Sequence, residues 1–317
     1  MASKPPAPAA PPLTPEQIAH AQARNEALQK TLPPGAWDEV MQQIKNSCGT
    51  GSIRHGVVMA CKRVAKTNCA GPKPDEKQRM SEQSAQSINK ANGTKVDFGK
   101  LAQFEGGQAT QGYVPWWPDG VTANEGVIGV NPATVKEGGA TVLKGTSNSG
   151  VTVATGVDLG QQRPAAYVKR LKAAGVPQAL IDKLRPYMGL KRAAACKYLR
   201  EHPLEITKDE AEMLEKEMKS AHLKNTMTEY GDAANSIKDG KPFGNLSQEE
   251  QTILFSRHYQ DGNIIDGNNY ELAKEIASGE SQAVLDRLST VNYPGAAHKN
   301  RIPVEQSYLR EAYKRTL

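Results

Sequence analysis

Glu105, Thr152 and Asp158 are the residues of this chain whose types and settings could carry out acid–base chemistry. Glu105 follows Phe104 and precedes Gly106 and Gly107. A carboxyl beside an aromatic ring is desolvated, which disfavours its charged form and raises its pKa. The glycines, lacking a Cβ, let another molecule approach it closely. Asp158 lies in GVTVATGVDLG (150–160), in a glycine-flanked turn at the end of a strand. Thr152 comes six residues earlier, on the same face of an extended chain. Two carboxyls in different environments, with a hydroxyl, can divide the work of cleaving a glycosidic bond. One stays protonated as general acid, and the other stays ionised to direct water or face the cation-like transition state. On residue pattern alone the same residues also read as exposed turn residues.

The elements that must position them fall into three stretches. Residues 1–15 form a Pro/Ala-rich leader, extended in character. Residues 16–92 read as a small helical region with a thin core and a polar linker, a docking or delivery module. In it, Thr14-Pro15-Glu16-Gln17 starts a helix running to about Lys30. Further helices are expected at about 36–44 and 55–66, and the linker carries one exposed helix. From 93 to 317 the texture changes. VDFGKLAQFEGG is a short helix ended by glycines, and residues 108–160 read as hairpins or a small sheet. After Gln161 the chain is helical, with expected helices at about 164–174, 177–188, 190–201, 208–230, 248–259, 269–278, 281–290 and 303–315. Capping boxes open two of them, at Thr207/Glu210 and Ser247/Glu250. The plan is α+β.

Composition narrows the function classes. The 317 residues hold 40 Lys+Arg against 34 Asp+Glu, a net charge of +6. Residues 1–92 carry 12 basic and 7 acidic side chains, so most of the excess lies there. No run of five basic residues and no nucleic-acid motif occurs, so no nucleic-acid partner is expected. No apolar run approaches the ~18 residues of a membrane span. The start, MASKPPAPAAPPLTPEQ, lacks the apolar stretch of a secretory signal. Cys48, Cys61, Cys69 and Cys196 form no CxxC, and the histidines no HExxH, so neither metal nor cofactor is expected. All four cysteines are expected reduced, Cys196 buried; the alternative is one disulfide among the first three.

FEGGQATQGYVP (104–115), followed by SGVTVATGVDLGQQ (149–162), resembles the lysozyme domain of the pesticin family, bacteriocins with a T-even phage lysozyme fold. LSQEEQTILFSRHYQDG (246–262) is similar to a helix of the phage enzymes, and NYPGAAHKNRIPVEQSYL (292–309) has a family-like Gly…Arg…Glu…Leu order. The resemblance covers about residues 93–317. It implies a small β lobe plus a helical C-terminal lobe, and a muramidase cleaving the β-1,4 bond between N-acetylmuramic acid and N-acetylglucosamine. It makes Glu105 the general acid, and it pairs Asp158 with Thr152 in orienting water or stabilising the transition state. A lytic transglycosylase, or a non-catalytic wall-binding or spike-associated module on the same scaffold, are the alternatives.

The chain departs from the pattern by a long insert between Tyr113 and Ser149. Its Asp119, Glu125 and Glu137 rank below Asp158 as second carboxylate, since none lies in the matched motif. Trp116 and Trp117, with Tyr113, are candidate sugar contacts through apolar area and a polar N–H or O–H. Adjacent residues in an extended segment point oppositely, so one tryptophan could stack on sugar while the other pins the insert. His258 reads as structural, and Asp261 and Asp266 as helix caps. The expected partners are peptidoglycan strands, a secretion spike (type VI) or adaptor bound by residues 1–92, and a periplasmic immunity protein. A phage-associated lysin is the other setting considered. The protein is expected to be made in the cytoplasm without a signal peptide and to act on a target cell's wall after delivery.

Overall fold

The computed structural model describes residues 14–48, 53–54, 57–58, 68–75, 77–105, 107–124, 127–130, 132–137, 139–265, 267–290 and 296–315. Helix α1 (Pro15–Thr31) starts where its capping box requires. The Thr14 hydroxyl accepts from the Gln17 N–H, and the Gln17 side chain accepts from the Thr14 N–H. Helix α2 (Ala36–Cys48) follows a turn through Pro33-Pro34-Gly35. Of the helix expected at about 55–66 only residues 57 and 58 are described, and they are strand: Ile53–Arg54 (β1) and Val57–Val58 (β2) pair antiparallel, while residues 55–56 and 59–67 lie outside those described. Two consecutive β-branched valines suit a strand, where their stiff side chains cost least.

Helix α3 (Glu82–Asn92) corrects the expectation of an exposed linker helix. Its Ile88 is 1% exposed and belongs to the core of the helical lobe. Ser81 caps it, and both the Ser81 N–H and hydroxyl donate to Glu212. Helix α4 (Phe98–Glu105) follows, then strand β3 (Ala109–Tyr113). Two insert hairpins come next, β4 (Val121–Asn124) with β5 (Val127–Val130), and β6 (Thr134–Glu137) with β7 (Ala140–Leu143). Strands β8 (Thr152–Ala154) and β9 (Val157–Asp158) complete an antiparallel sheet in the order β3-β8-β9.

The rest is helical: α5 (Pro164–Ala173), α6 (Gln178–Leu184), α7 (Arg192–Glu201), α8 (Lys208–Asn235), α9 (Gln248–Asp261), α10 (Gly267–Ser278), α11 (Ser281–Thr290) and α12 (Ala296–Lys314). Both expected capping boxes form, at Thr207/Glu210 and Ser247/Glu250. Helix α12 begins before the expected position and carries Pro303 inside it. The motif residues Arg301, Glu305 and Leu309 recur every four residues and are all buried. Arg257 of α9 pairs with Glu305, and Arg301 donates to the Ser256 carbonyl and hydroxyl. That motif is therefore a packing face between α9 and α12.

Two apolar cores share α8, whose 28 residues span about 42 Å, its first part entering one and its later part the other. Leu214 and Met218 enter the first core with the sheet and α5–α7, and Leu223 and Tyr230 enter the second with α3, α4 and α9–α12. Helix α2 contributes Val40 and Ile44 to the first core, and Glu39 pairs with Arg200 of α7. Residues before and after position 93 thus pack into the same two cores. Cys69 and Cys196 form a disulfide, Cα–Cα 5.8 Å. Cys196 is buried as expected, but neither cysteine is reduced. Among the described residues no helix is long and apolar enough to cross a membrane.

Candidate active site

The sheet lines up three of the expected site residues in one row. Tyr113 lies opposite Thr152 across β3 and β8, and Thr152 lies opposite Asp158 across β8 and β9. Directly opposed residues of an antiparallel pair point to the same face. The shared face of Thr152 and Asp158 therefore arises from cross-strand pairing around Thr155-Gly156, not from one continuous extended chain. The tight reversal needs left-handed backbone, supplied by Gly156 at φ +75° and, at greater steric cost, by Ala154 at φ +48°.

Gly150 connects the two polar side chains. Its N–H donates to the Asp158 carboxylate at 3.0 and 3.3 Å, and its carbonyl accepts from the Thr152 hydroxyl at 3.2 Å. The Gly160 N–H gives Asp158 a second donor at 2.9 Å. Burial pushes the Asp158 pKa above the ordinary aspartate value. The N–H groups of Gly150, Gly160 and Gln161 and the Ser149 hydroxyl pull the other way by stabilising the charged form. Asp158 is thus a mostly desolvated carboxylate with its lone pairs occupied on one side. Thr152 is 3% exposed.

Only glycine fits the cradle. A Cβ on Gly150 would lie 2.1 Å from the Leu190 carbonyl oxygen and 2.5 Å from Gly160 Cα. A Cβ on Gly160 would lie 2.3 Å from the same oxygen and 2.6 Å from Gly150 Cα.

Glu105 is the last residue of α4, immediately ahead of the sheet; its side chain lies outside those described, as does Gly106. The fold therefore brings Tyr113, Thr152 and Asp158 together and places the Glu105 backbone at the junction of α4 and β3. Of the competing insert carboxylates, Asp119 faces Lys144 at 3.7 Å and Glu137 pairs with Arg192 at 2.7 Å. Glu125 lies outside the described residues.

Trp116 and Trp117 do not divide as alternation predicted. Both are buried, at 1% and 2% exposed, and Tyr113 at 6%. The Trp116 indole nitrogen packs where Gly145 leaves room for no side chain, and Trp117 exchanges hydrogen bonds with Thr146. Both rings fill the core beneath the insert, leaving almost no ring surface open for stacking.

Sequence reasoning missed two polar clusters because each joins distant segments. The Gln108 amide donates to Glu215 at 2.8 Å, and Glu215 pairs with Lys219, both fully buried on α8. His258, read as structural, is 1% exposed; its Nδ1 lies 3.0 Å from His222 Nδ1 and its Nε2 lies 3.4 Å from Glu229. Burial lowers the pKa of both histidines, that of His222 to about 4, so the His222 ring is neutral near pH 7. Asp261, expected to cap a helix, closes α9 and accepts from Asn269, while Asp266 lies outside the described residues. Among the described residues no group of three or more His, Cys, Asp or Glu could hold a metal ion.

Residues 134–279 match the family model described as "Pesticin: Bacterial toxin homologue of phage lysozyme, C-term", just under half of the chain. This stretch is a pesticin-type lysozyme domain. The match takes in β6–β9, the Asp158 cradle and α5 to α10, and its α+β layout is lysozyme-like. The domain is of the class of lysozyme-type, peptidoglycan-lytic bacterial toxins. Glu105, Tyr113 and both insert tryptophans precede the matched stretch. No curated protein matches the chain.

Proposed function

We propose that the chain is a muramidase that hydrolyses the β-1,4 bond between N-acetylmuramic acid and N-acetylglucosamine. Glu105 protonates the leaving glycosidic oxygen. Asp158, with Thr152, orients the attacking water and faces the oxocarbenium-like transition state. The observation that carries this reading is the Thr152–Asp158 pair on the Gly150 cradle, inside the pesticin-type domain. The fixed N–H donors favour the charged form that a water-directing group needs, against the burial that raises its pKa. Tyr113, buried in the same row, is assigned to supporting Thr152. Trp116 and Trp117 are assigned to holding the insert.

Mass spectrometry of digested cell wall tests the reaction. Hydrolysis leaves reducing muramic acid ends. Recovery of 1,6-anhydromuramic ends alone would overturn the hydrolase and leave a lytic transglycosylase, which needs the glutamate but no water-directing aspartate.

Delivery is assigned to the N-terminal region: a secretion apparatus such as the type VI spike, or an adaptor, takes the protein to the wall of a target cell. A periplasmic immunity protein would guard the producer. The packing divides this region. In α1 only Asn25 is buried, whereas α2 and α3 enter the two cores. Removing residues 1–31 is expected to leave hydrolysis in vitro intact and to block delivery. Removing residues 1–92 is expected to lower Tm and cost activity as well, since it strips Val40, Ile44 and Ile88 from the cores. A 1–92 deletion with unchanged Tm and full hydrolysis would show that packing to be dispensable.

A further inference from the structure

The turn at residues 189–192 is the platform on which the Asp158 cradle is built. The Gly189 N–H donates to the Leu159 carbonyl at 3.1 Å, and the Leu190 carbonyl fills the space that a Cβ on Gly150 or Gly160 would need. Lys191 bridges to Gly150, and the Arg192 N–H donates to the Ser149 carbonyl at 2.8 Å. The Gly150 and Gly160 N–H donors to Asp158 are thus set by this turn.

Arg192 occupies the turn in an unusual way. It is the first residue of α7, yet its φ is +52°, a left-handed backbone that residues with a side chain rarely adopt. Such strain persists only where surrounding contacts over-determine it. The Arg192 side chain is 11% exposed, and Nη2 donates to Asn148 Oδ1 and pairs with Glu137 at the end of β6. Asn148 is two residues ahead of Gly150, and its carbonyl also accepts from the Gln161 amide at 2.6 Å. One guanidinium therefore joins the insert hairpin, the loop before β8 and the start of α7.

We propose that Arg192 is a positioning residue for Asp158: it clamps the insert hairpin through Glu137 and the 148–150 loop through Asn148, so that the Gly150 N–H stays aimed at the carboxylate. The insert then has a role in the reaction through the Glu137–Arg192 pair. The inference rests on the assignment of Asp158 under Proposed function.

Arg192→Gly is the decisive variant. Glycine relieves the left-handed strain while removing the guanidinium, so fold and clamp are separated. With soluble glycan strands as substrate, Arg192→Gly is expected to hold or raise Tm and to lower kcat about tenfold to a hundredfold at little-changed KM. The acid limb of the pH profile moves to higher pH, because a lost N–H donor raises the Asp158 pKa. Arg192→Lys keeps the charge without the planar fork and falls between. Wild-type rate and acid limb in Arg192→Gly would overturn the proposal. So would a parallel loss of Tm and rate in both variants, the mark of a merely structural residue. Asp158→Asn is run beside them: if it retains full activity, the site assignment fails rather than the clamp.

Discussion

Glu105→Gln is expected to lower peptidoglycan hydrolysis by about 10²–10⁴-fold, the usual contribution of a positioned general acid, without a change in Tm. Glutamine keeps the shape and cannot donate a proton to the leaving oxygen. Asp158→Asn is expected to be equally disabling by a different route. Asparagine retains an acceptor for the Gly150 and Gly160 N–H groups and loses the charge that orients water. Its stability should move oppositely to its activity. Burial raises the folded-state pKa of Asp158 above its unfolded value, so this group favours folding when protonated, and its contribution is lost as pH rises through the folded pKa. Above the folded-state pKa the ionised Asp158 costs stability, and Asp158→Asn should hold or raise Tm there. Turbidity clearing with thermal melting checks both variants. Full clearing by Glu105→Gln would sink the general-acid assignment.

Opening the Cys69–Cys196 disulfide carries the largest expected effect on stability. The bond closes a loop with a sequence separation of 127. Loss of a native disulfide typically costs about 2–5 kcal/mol, through the greater freedom of the unfolded chain and the lost native contact. Here the bond also fixes the segment after residue 68 against α7. The Cys69 N–H donates to the Val114 carbonyl, the Cys69 carbonyl accepts from Arg200, and Arg200 in turn pairs with Glu39 of α2. A Cys69→Ala/Cys196→Ala variant is expected to melt several degrees lower, at about 2–4 °C per kcal/mol for a domain of this size. An unchanged Tm would show that the apolar contacts hold the segment alone. The bond also fits a working place outside the reducing cytoplasm, where disulfides persist. That agrees with a wall substrate better than the reduced state expected from cysteine spacing.

Much of the local structure was legible because its causes are local. The capping boxes at Thr14, Thr207 and Ser247 each span four residues, and all three form with the hydrogen bonds their residue types require. Helix periodicity after Gln161 was readable for the same reason. The stretch around Val57-Val58 was misread because a short apolar run fits either period. The linker helix was misjudged because a single Ile88 among polar neighbours does not reveal how much of its surface α8 and its partners will cover.

For the site, the sequence by itself determined the residue types: a glutamate at a helix end before glycines, and a threonine and an aspartate in a glycine-rich hairpin. Tertiary structure alone decided what holds them. Asp158 depends on Gly150, Gly160 and the Leu190 carbonyl; Arg192 meets Glu137 across the insert; Cys69 meets Cys196; and two adjacent tryptophans turn into one core. Each of these contacts joins residues with no regular spacing in the chain. Capping and periodicity act over one or two turns of backbone, whereas these partners meet only after the two cores have closed around α8.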